Sequence, residues 1–213
     1  MNGRLERVFD EIPACDTFAD VACDHGYVAL AMLASGKCRR AFVSDISEKS
    51  LKKAQTLLAE YIASGKCESF VSDGFDNLPY ADCALIAGVG GDLITEIIER
   101  AERLPETLVL QPMKNCEKVR RAAVRLGYAV KKDFTIKYDG QFYDIISLAK
   151  GKDYLTDEEA EFGRTNVKTL PPDFREKTTV ETGKLLSYIQ SAYMDDETRK
   201  KMLDRVDKLK QYV

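Results

Sequence analysis

From Thr17 onward the chain alternates short apolar runs with longer amphipathic ones, and this alternation constrains its fold more than any other feature. A short run bounded by turn residues makes one strand. The amphipathic run after it makes the helix that carries the chain back to begin a parallel neighbour. The predicted strands are Thr17 to Ala22, Arg40 to Asp45, Cys67 to Ser72, Cys83 to Ala87 and Thr107 to Gln111. Between the second and third, Leu51, Ala54, Leu58, Tyr61 and Ile62 return at helical spacing behind Ser47, a suitable N-cap. Another helix opens at Asp92, turns Leu93, Ile94, Ile97, Ile98 and Ala101 inward and ends before Pro105; the next runs from Glu117 to Leu126 and stops at Gly127. Two extended stretches follow, Tyr128 to Tyr138 and Gln141 to Lys150, joined by Asp139-Gly140, a dipeptide suited to a tight hairpin. The expected fold is α/β, a mostly parallel sheet with an antiparallel last strand. A dinucleotide dehydrogenase does not normally close its sheet this way.

After Lys150 the strand patterns stop. Thr156-x-x-Glu159 reads as a capping box, and Pro171-Pro172-Asp173 begins a long helix with Leu186, Ile189 and Tyr193 on one seam. Beyond Asp195-Asp196, Met202, Val206, Leu209 and Val213 form a second seam, so an antiparallel coiled-coil hairpin is expected. The expected domains are residues 1–152 and 153–213. With 45% hydrophobic and 31% charged residues, the composition is that of a globular chain. No apolar run approaches the roughly 20 residues of a membrane span, and none follows the first residues as a secretory signal would. A cytoplasmic location without a membrane partner is expected. Six cysteines without a C-x-x-C pair, beside a single histidine, predict free thiols and no metal.

The chemistry gathers at Phe18-Ala19-Asp20-Val21-Ala22-Cys23-Asp24-His25-Gly26-Tyr27, where a strand delivers Asp20 and a helix begins near Tyr27. The run matches D-x-G-x-G-x-G only at Asp20 and Gly26, because Ala22 and Asp24 occupy the inner glycine places. A carboxylate at Asp24 would repel a pyrophosphate. S-adenosylmethionine (SAM) has no phosphate and carries an ammonium and a sulfonium, so the acidic loop disfavours NAD and suits SAM. Asp45 lies 19 residues beyond Gly26, with Ile46 next to it, placed either to accept from ribose hydroxyls or to cap the helix at Ser47. Asp73 is placed to accept from an adenine amino group, with Gly74 permitting a tight turn; turn chemistry alone also accounts for this pair. Ala87-Gly88-Val89-Gly90-Gly91 forms a floor without large side chains at the end of a central strand. No Lys-Ser or Lys-Thr follows, which excludes a P-loop.

Ala19 to Tyr27, then Ser72-Asp73-Gly74, Ile86 to Gly91 and Leu110-Gln111-Pro112, in this order, resemble the bacterial tRNA adenine-N1 methyltransferases that modify position 22, the TrmK family. The resemblance spans residues 5 to 150 by motif and the remainder by architecture. It implies a Rossmann-like class I SAM-dependent sheet with a C-terminal helical coiled-coil domain, SAM as cofactor and tRNA as partner. By the same resemblance Cys23, His25, Ile46, Ala87, Val89 and Gly90 join Asp20, Ala22, Gly26, Asp45, Asp73, Gly74 and Gly88 around the cofactor, with Tyr27, Gln111 and Pro112 toward the substrate. The family usually has Gly where Ala22 stands, Met at Val89 and Asn at Met113; Asn115 would replace that Asn from nearby.

An adenine N1 lone pair needs no proton removed before attack, so positioning is the main catalytic task. Asp24 is the expected catalytic residue, stabilising the positive charge that develops on the ring. His25 would hydrogen-bond the base or order the loop, and Tyr27 would stack on the base or enter the core. No N-P-P-Y or D-P-P-Y tetrapeptide follows the fourth strand, which leans away from an exocyclic amino target. From Lys114 to Lys137 eight basic residues face two acids in a chain of net charge −3. Lys118, Arg120, Arg121 and Arg125 are expected to track phosphates, a solvated helix face being the alternative. Two other functions stay open: a SAM-binding or helical interaction protein without turnover, suggested by Ala22 and the absent Asn, and an NAD-dependent oxidoreductase. The oligomeric state is open, a monomer being favoured.

Overall fold

The computed structural model describes residues 3–191 and 193–213. Met1 and Asn2, at the head of the expected first domain, and Ala192 lie outside the described residues. The chain forms α1 (Gly3–Glu11), β1 (Thr17–Val21), α2 (Tyr27–Ala34), β2 (Arg40–Asp45), α3 (Glu48–Leu57), α4 (Ala59–Ala63), β3 (Cys67–Val71), β4 (Cys83–Val89) and α5 (Gly91–Arg100). Then come β5 (Thr107–Pro112), α6 (Cys116–Arg125), β6 (Tyr128–Tyr138), β7 (Gln141–Lys150), α7 (Asp157–Phe162), α8 (Arg164–Thr169), α9 (Pro172–Ser191) and α10 (Asp196–Lys210).

The seven strands make one sheet in the order β3-β2-β1-β4-β5-β7-β6. The first five run parallel, and β7 is antiparallel to both β5 and β6. Alternation along each central strand sends successive side chains to opposite faces. Phe18, Val43 and Leu85 enter one apolar layer with Val8, Met32 and Leu58. Ala19, Phe42 and Ile86 enter the other with Ile94, Ile98 and Val119. Both faces of the sheet are covered, as a parallel sheet requires.

Some boundaries differ from expectation. Helix α1 was not foreseen; it lays Leu5, Val8 and Phe9 on the first layer. The helix predicted after β2 breaks at Leu58, whose φ and ψ are −100° and 12° and whose side chain is fully buried. Strand β4 runs past Ala87 to Val89 through a register shift against β5, with Gly88 at φ +79°. Tyr193, expected on an apolar seam, is fully exposed.

Helices α9 and α10 run antiparallel: Arg199 donates to Ile189 O at 3.2 Å near one end, and Thr178 Oγ1 donates to Tyr212 O at 3.2 Å near the other. Helices α8 and α9 protect the sheet edge. On β6, the backbone N–H groups of Asp133, Thr135 and Lys137 donate to Thr165 Oγ1, Asn166 Oδ1 and Asp173 Oδ2. The two-residue spacing of these donors is that of an edge strand's outward groups, which would otherwise template association.

Behind this edge lies the clearest correction to the sequence reading. Arg120, expected to meet phosphates, is 0% exposed. Its Nε and Nη2 donate to Asp133 at 2.7 and 2.9 Å, Nη2 also donates to Asp144 Oδ2 at 2.8 Å, and Nη1 donates to the carbonyls of Ala160 and Glu161. That set saturates the five N–H donors of a guanidinium. Burial would raise Asp144, but Lys177, 2.9 Å away, and Arg120 hold it below the usual carboxylate range. The side chain clamps α6 and α7 to β6 and β7 and has no surface to offer RNA.

Candidate functional site

A cleft of about 590 Å³ opens at the carboxyl ends of β1, β2 and β4, where the strand order reverses direction. This is the position at which open α/β sheets bind ligands. Among the described residues, five carboxylates line it, those of Asp20, Asp24, Asp45, Asp73 and Glu96, against one Lys or Arg side chain, that of Arg4.

The loop after β1 needs unusual backbone. Ala22 stands at φ +58° and Gly26 at φ +76°. A Cβ on Gly26 would lie 2.9 Å from Leu58 Cδ1, so the loop can lie against α3 only with glycine there. Ala22 adopts the left-handed region with a side chain, at a cost of roughly 1–2 kcal/mol. Asp20, 7% exposed, faces the cleft and forms no ion pair among the described residues. Burial raises its pKa to about 6, although the Cys23 thiol and the Ala29 backbone hydrogen-bond to it. Cys23 is itself buried, and burial pushes its thiol up.

Asp24 lies at the exposed rim. Lys53 Nζ donates to its Oδ1 at 2.7 Å, and His25 Nδ1 lies 2.7 Å from its Oδ2. The hydrogen bond from Lys53 holds Asp24 below the usual carboxylate range. The His25 ring stacks on Tyr27, with centroids 5.4 Å apart and planes 8° apart, and Tyr27 is 42% exposed at the cleft. Asp45 Oδ1 accepts from Ser47 N at 2.7 Å while Ser47 Oγ accepts from Ser50 N, so this acid braces the helix cap and also lines the cleft. Ile46 is exposed beside it. Asp73 Oδ1 lies 2.5 Å from Arg100 Nη2, and that hydrogen bond holds its carboxyl low. Gly74 has φ +64°, and a Cβ there would lie 2.9 Å from Ile97 Cγ2.

Ala87, Gly88 and Val89 form the floor. Gly90 is not part of the lining; it is the N-cap of α5. Gln111 and Pro112 are also corrected: both are buried and neither lines the cleft, so neither presents a surface to a base. Gln111 instead accepts a hydrogen bond from Arg4 and donates to Pro112 O at 3.1 Å. Asn115 caps α6 at φ +56° and donates to Asp92 Oδ2 at 2.5 Å, outside the cleft. The basic stretch is largely neutralised in place. Lys118 pairs with Asp92, Arg121 with Glu117 and Asp157, Arg125 with Glu99, Lys132 with Glu11 and Lys137 with Glu176. Only Glu117 among these partners belongs to the same stretch.

Arg4 and Lys53 were missed by the sequence reading. In sequence Lys53 is an ordinary helix-surface lysine, and Arg4 is 107 positions from the glutamine it touches. No local pattern marks either one.

The methyltransferase-domain family matches residues 1–146. A Mycoplasma pneumoniae protein provisionally named a tRNA methyltransferase is 30% identical over 153 residues, 68% of this chain and 70% of that protein. The Bacillus subtilis tRNA (adenine(22)-N(1))-methyltransferase is 26% identical over 156 residues, 71% of this chain and 66% of its own. M. capricolum TrmK, solved with S-adenosylhomocysteine, superposes with a TM-score of 0.89 over 100% of this chain and 97% of that one at 22% identity, a likeness of fold.

Proposed function

Because the chain belongs to the TrmK family of SAM-dependent tRNA methyltransferases, we propose that it methylates N1 of an adenine in tRNA, position 22 being the one named for its Bacillus subtilis relative. The observation that carries this reading is Asp20, a buried carboxylate without a cationic partner among the described residues, at the base of an acid-lined cleft. An unmatched buried carboxylate is costly unless a cation reaches it. A ligand with an ammonium and a sulfonium fits this donor set, and a pyrophosphate does not.

When bound, SAM supplies the electrophilic methyl group. Asp20 would hold the ammonium, Asp45 would accept from the ribose hydroxyls through the oxygen not given to Ser47, and the Ala87-Gly88-Val89 floor lets the ligand approach the backbone. Asp73, tied to Arg100, borders the same cleft. Tyr27, backed by His25, offers a face on which an unstacked base can rest. Asp24, kept ionised by Lys53, provides negative charge at the rim as the ring becomes cationic. None of these side chains has to remove a proton from N1.

Residues 1–152 form the methyl-transfer unit in this reading, and residues 153–213 the helical unit against β6 and β7. Substrate tRNA places the reaction in the cytoplasm. The test is incubation with labelled SAM and unmodified tRNA, followed by nucleoside mass spectrometry. The expected product is 1-methyladenosine at a single position; label in another nucleoside, or none, overturns the assignment.

A further inference from the structure

Four of the six cysteines gather at the edge of the sheet opposite the cleft. Cys15 lies in the link between α1 and β1, Cys38 stands just ahead of β2, and Cys67 and Cys83 open β3 and β4. All four pack in the first apolar layer, on one face of the sheet. Within this group Cys15 and Cys83 form a pair, the Cys83 thiol donating a hydrogen bond to the Cys15 sulfur. The backbone on either side fixes their juxtaposition. Thr17 N and Oγ1 donate to Asp82 Oδ2 at 2.9 and 2.8 Å, Asp82 N donates to Thr17 O at 3.1 Å, and Phe18 is in register with Cys83. From the other side Cys15 N donates to Lys37 O at 2.9 Å, and Arg39 N and Arg40 N both donate to Asp16 O.

The two thiols differ in ways that order a reaction. Cys83 is 1% exposed, whereas Cys15 is half-buried. The hydrogen bond from Cys83 lowers Cys15 against burial and the carboxylates of Asp82 and Asp16; the same contact, with burial, pushes Cys83 up. The thiolate is the reacting species, so Cys15 is the nucleophile and Cys83 the thiol that follows it.

We propose that Cys15 and Cys83 are a modification site, which a hydroperoxide converts to a disulfide and a thiol reductant reopens. The Cys15 thiolate attacks the terminal peroxide oxygen. An S–O bond forms, the O–O bond breaks, and the departing oxygen takes the proton that Cys15 has lost. Cys83 then attacks the Cys15 sulfur; the S–S bond forms, the S–O bond breaks, and the Cys83 proton leaves with the hydroxyl as water. Two thiols and one hydroperoxide become one disulfide, one water and one alcohol, with a second water in place of the alcohol for hydrogen peroxide. The sulfurs are oxidised and the peroxide oxygens reduced. A partner already in contact closes the bond early, which keeps Cys15 from the irreversible sulfinic and sulfonic states.

The test treats the full-length chain with one equivalent of hydrogen peroxide at pH 7, alkylates the remaining thiols and maps peptides by mass spectrometry without reduction. The expected product joins the Cys15 and Cys83 peptides, two hydrogens lighter than the separate thiols, and is lost on adding dithiothreitol. Cys15 should be consumed at least about tenfold faster than Cys116, another half-buried thiol, whose pKa burial pushes up to about 12. In Cys15→Ser, Cys83 should stay reduced; in Cys83→Ser, Cys15 should stop at the sulfenic acid and be trapped by dimedone. Wild type and Cys15→Ser decide the matter by themselves if the buried Cys83→Ser change prevents folding. A link from Cys15 to Cys38, a link between chains, or oxidation of Cys15 no faster than that of Cys116 would each overturn the proposal.

Discussion

Two regions of this molecule gather aspartates around an arginine, and they use them in opposite ways. Behind β6, Asp133 and Asp144 are buried with Arg120 and Lys177, and the guanidinium has a partner for every N–H. At the carboxyl ends of β1, β2 and β4, Asp20 is buried and Arg4 lines the same cleft, each without an ion-pair partner among the described residues. Closed charge networks fasten elements together. Open ones store a demand for a ligand, and here the demand is cationic at Asp20.

The comparison breaks first at the closed network. Arg120→Ala leaves two buried carboxylates without their guanidinium, and urea unfolding should show a loss of about 3–5 kcal/mol. A loss below about 1 kcal/mol would mean that the network is not what fastens the helices to the sheet. At the open region, Asp24→Ala should reduce methyl transfer by about 10²-fold or more in single-turnover assays while tRNA binding, read by gel shift, persists. Normal turnover would remove Asp24 from the chemistry.

Asp20 sharpens the contrast through pH. Its pKa is raised to about 6 by burial, so the folded chain binds the extra proton between roughly pH 4 and pH 6. A raised acid destabilises the ligand-free fold once ionised: the cost is absent at low pH, grows as pH rises and is complete above 6. Ligand binding runs the other way, because a cation needs the ionised form. Affinity for S-adenosylhomocysteine should be about tenfold lower at pH 5 than at pH 7, and Asp20→Asn should remove that dependence while stabilising the empty protein at pH 7. A flat profile in the wild type would show that Asp20 does not meet the ligand. The smallest effect is at Ala22, where φ is +58°. Ala22→Gly should stabilise by about 1 kcal/mol, or roughly 2–4 °C in a chain of this size; no gain in a melting scan would mean that the loop relaxes without it.

Legibility followed the range of the interaction. The strand starts and the hairpin at Asp139-Gly140 could be read because period-two alternation and turn chemistry act within a few residues. The acids of the first loop could be read for the same reason: Asp20 stands one residue before the end of β1 and Asp24 in the turn that follows, so a local strand pattern puts both at the sheet's carboxyl edge. The expected basic surface loses Arg120 to the core, and the ion pairs of its other cations could not be read because of distance. Its charge was counted along the chain, but its partners arrive from elsewhere, Asp92 from α5, Asp157 from α7 and Glu11 from α1. Gln111 failed similarly, since nothing next to it says that Arg4 will cover it.

By itself, the sequence determined the order of strands and helices, the antiparallel close of the sheet and the acidic loop at its rim, all consequences of backbone sterics and local hydrophobic spacing. Tertiary structure decided which charges meet. Coulomb attraction and desolvation depend on distance and burial in space, so Arg120 became a clamp and Arg4 an open guanidinium only when segments far apart in the chain were packed together.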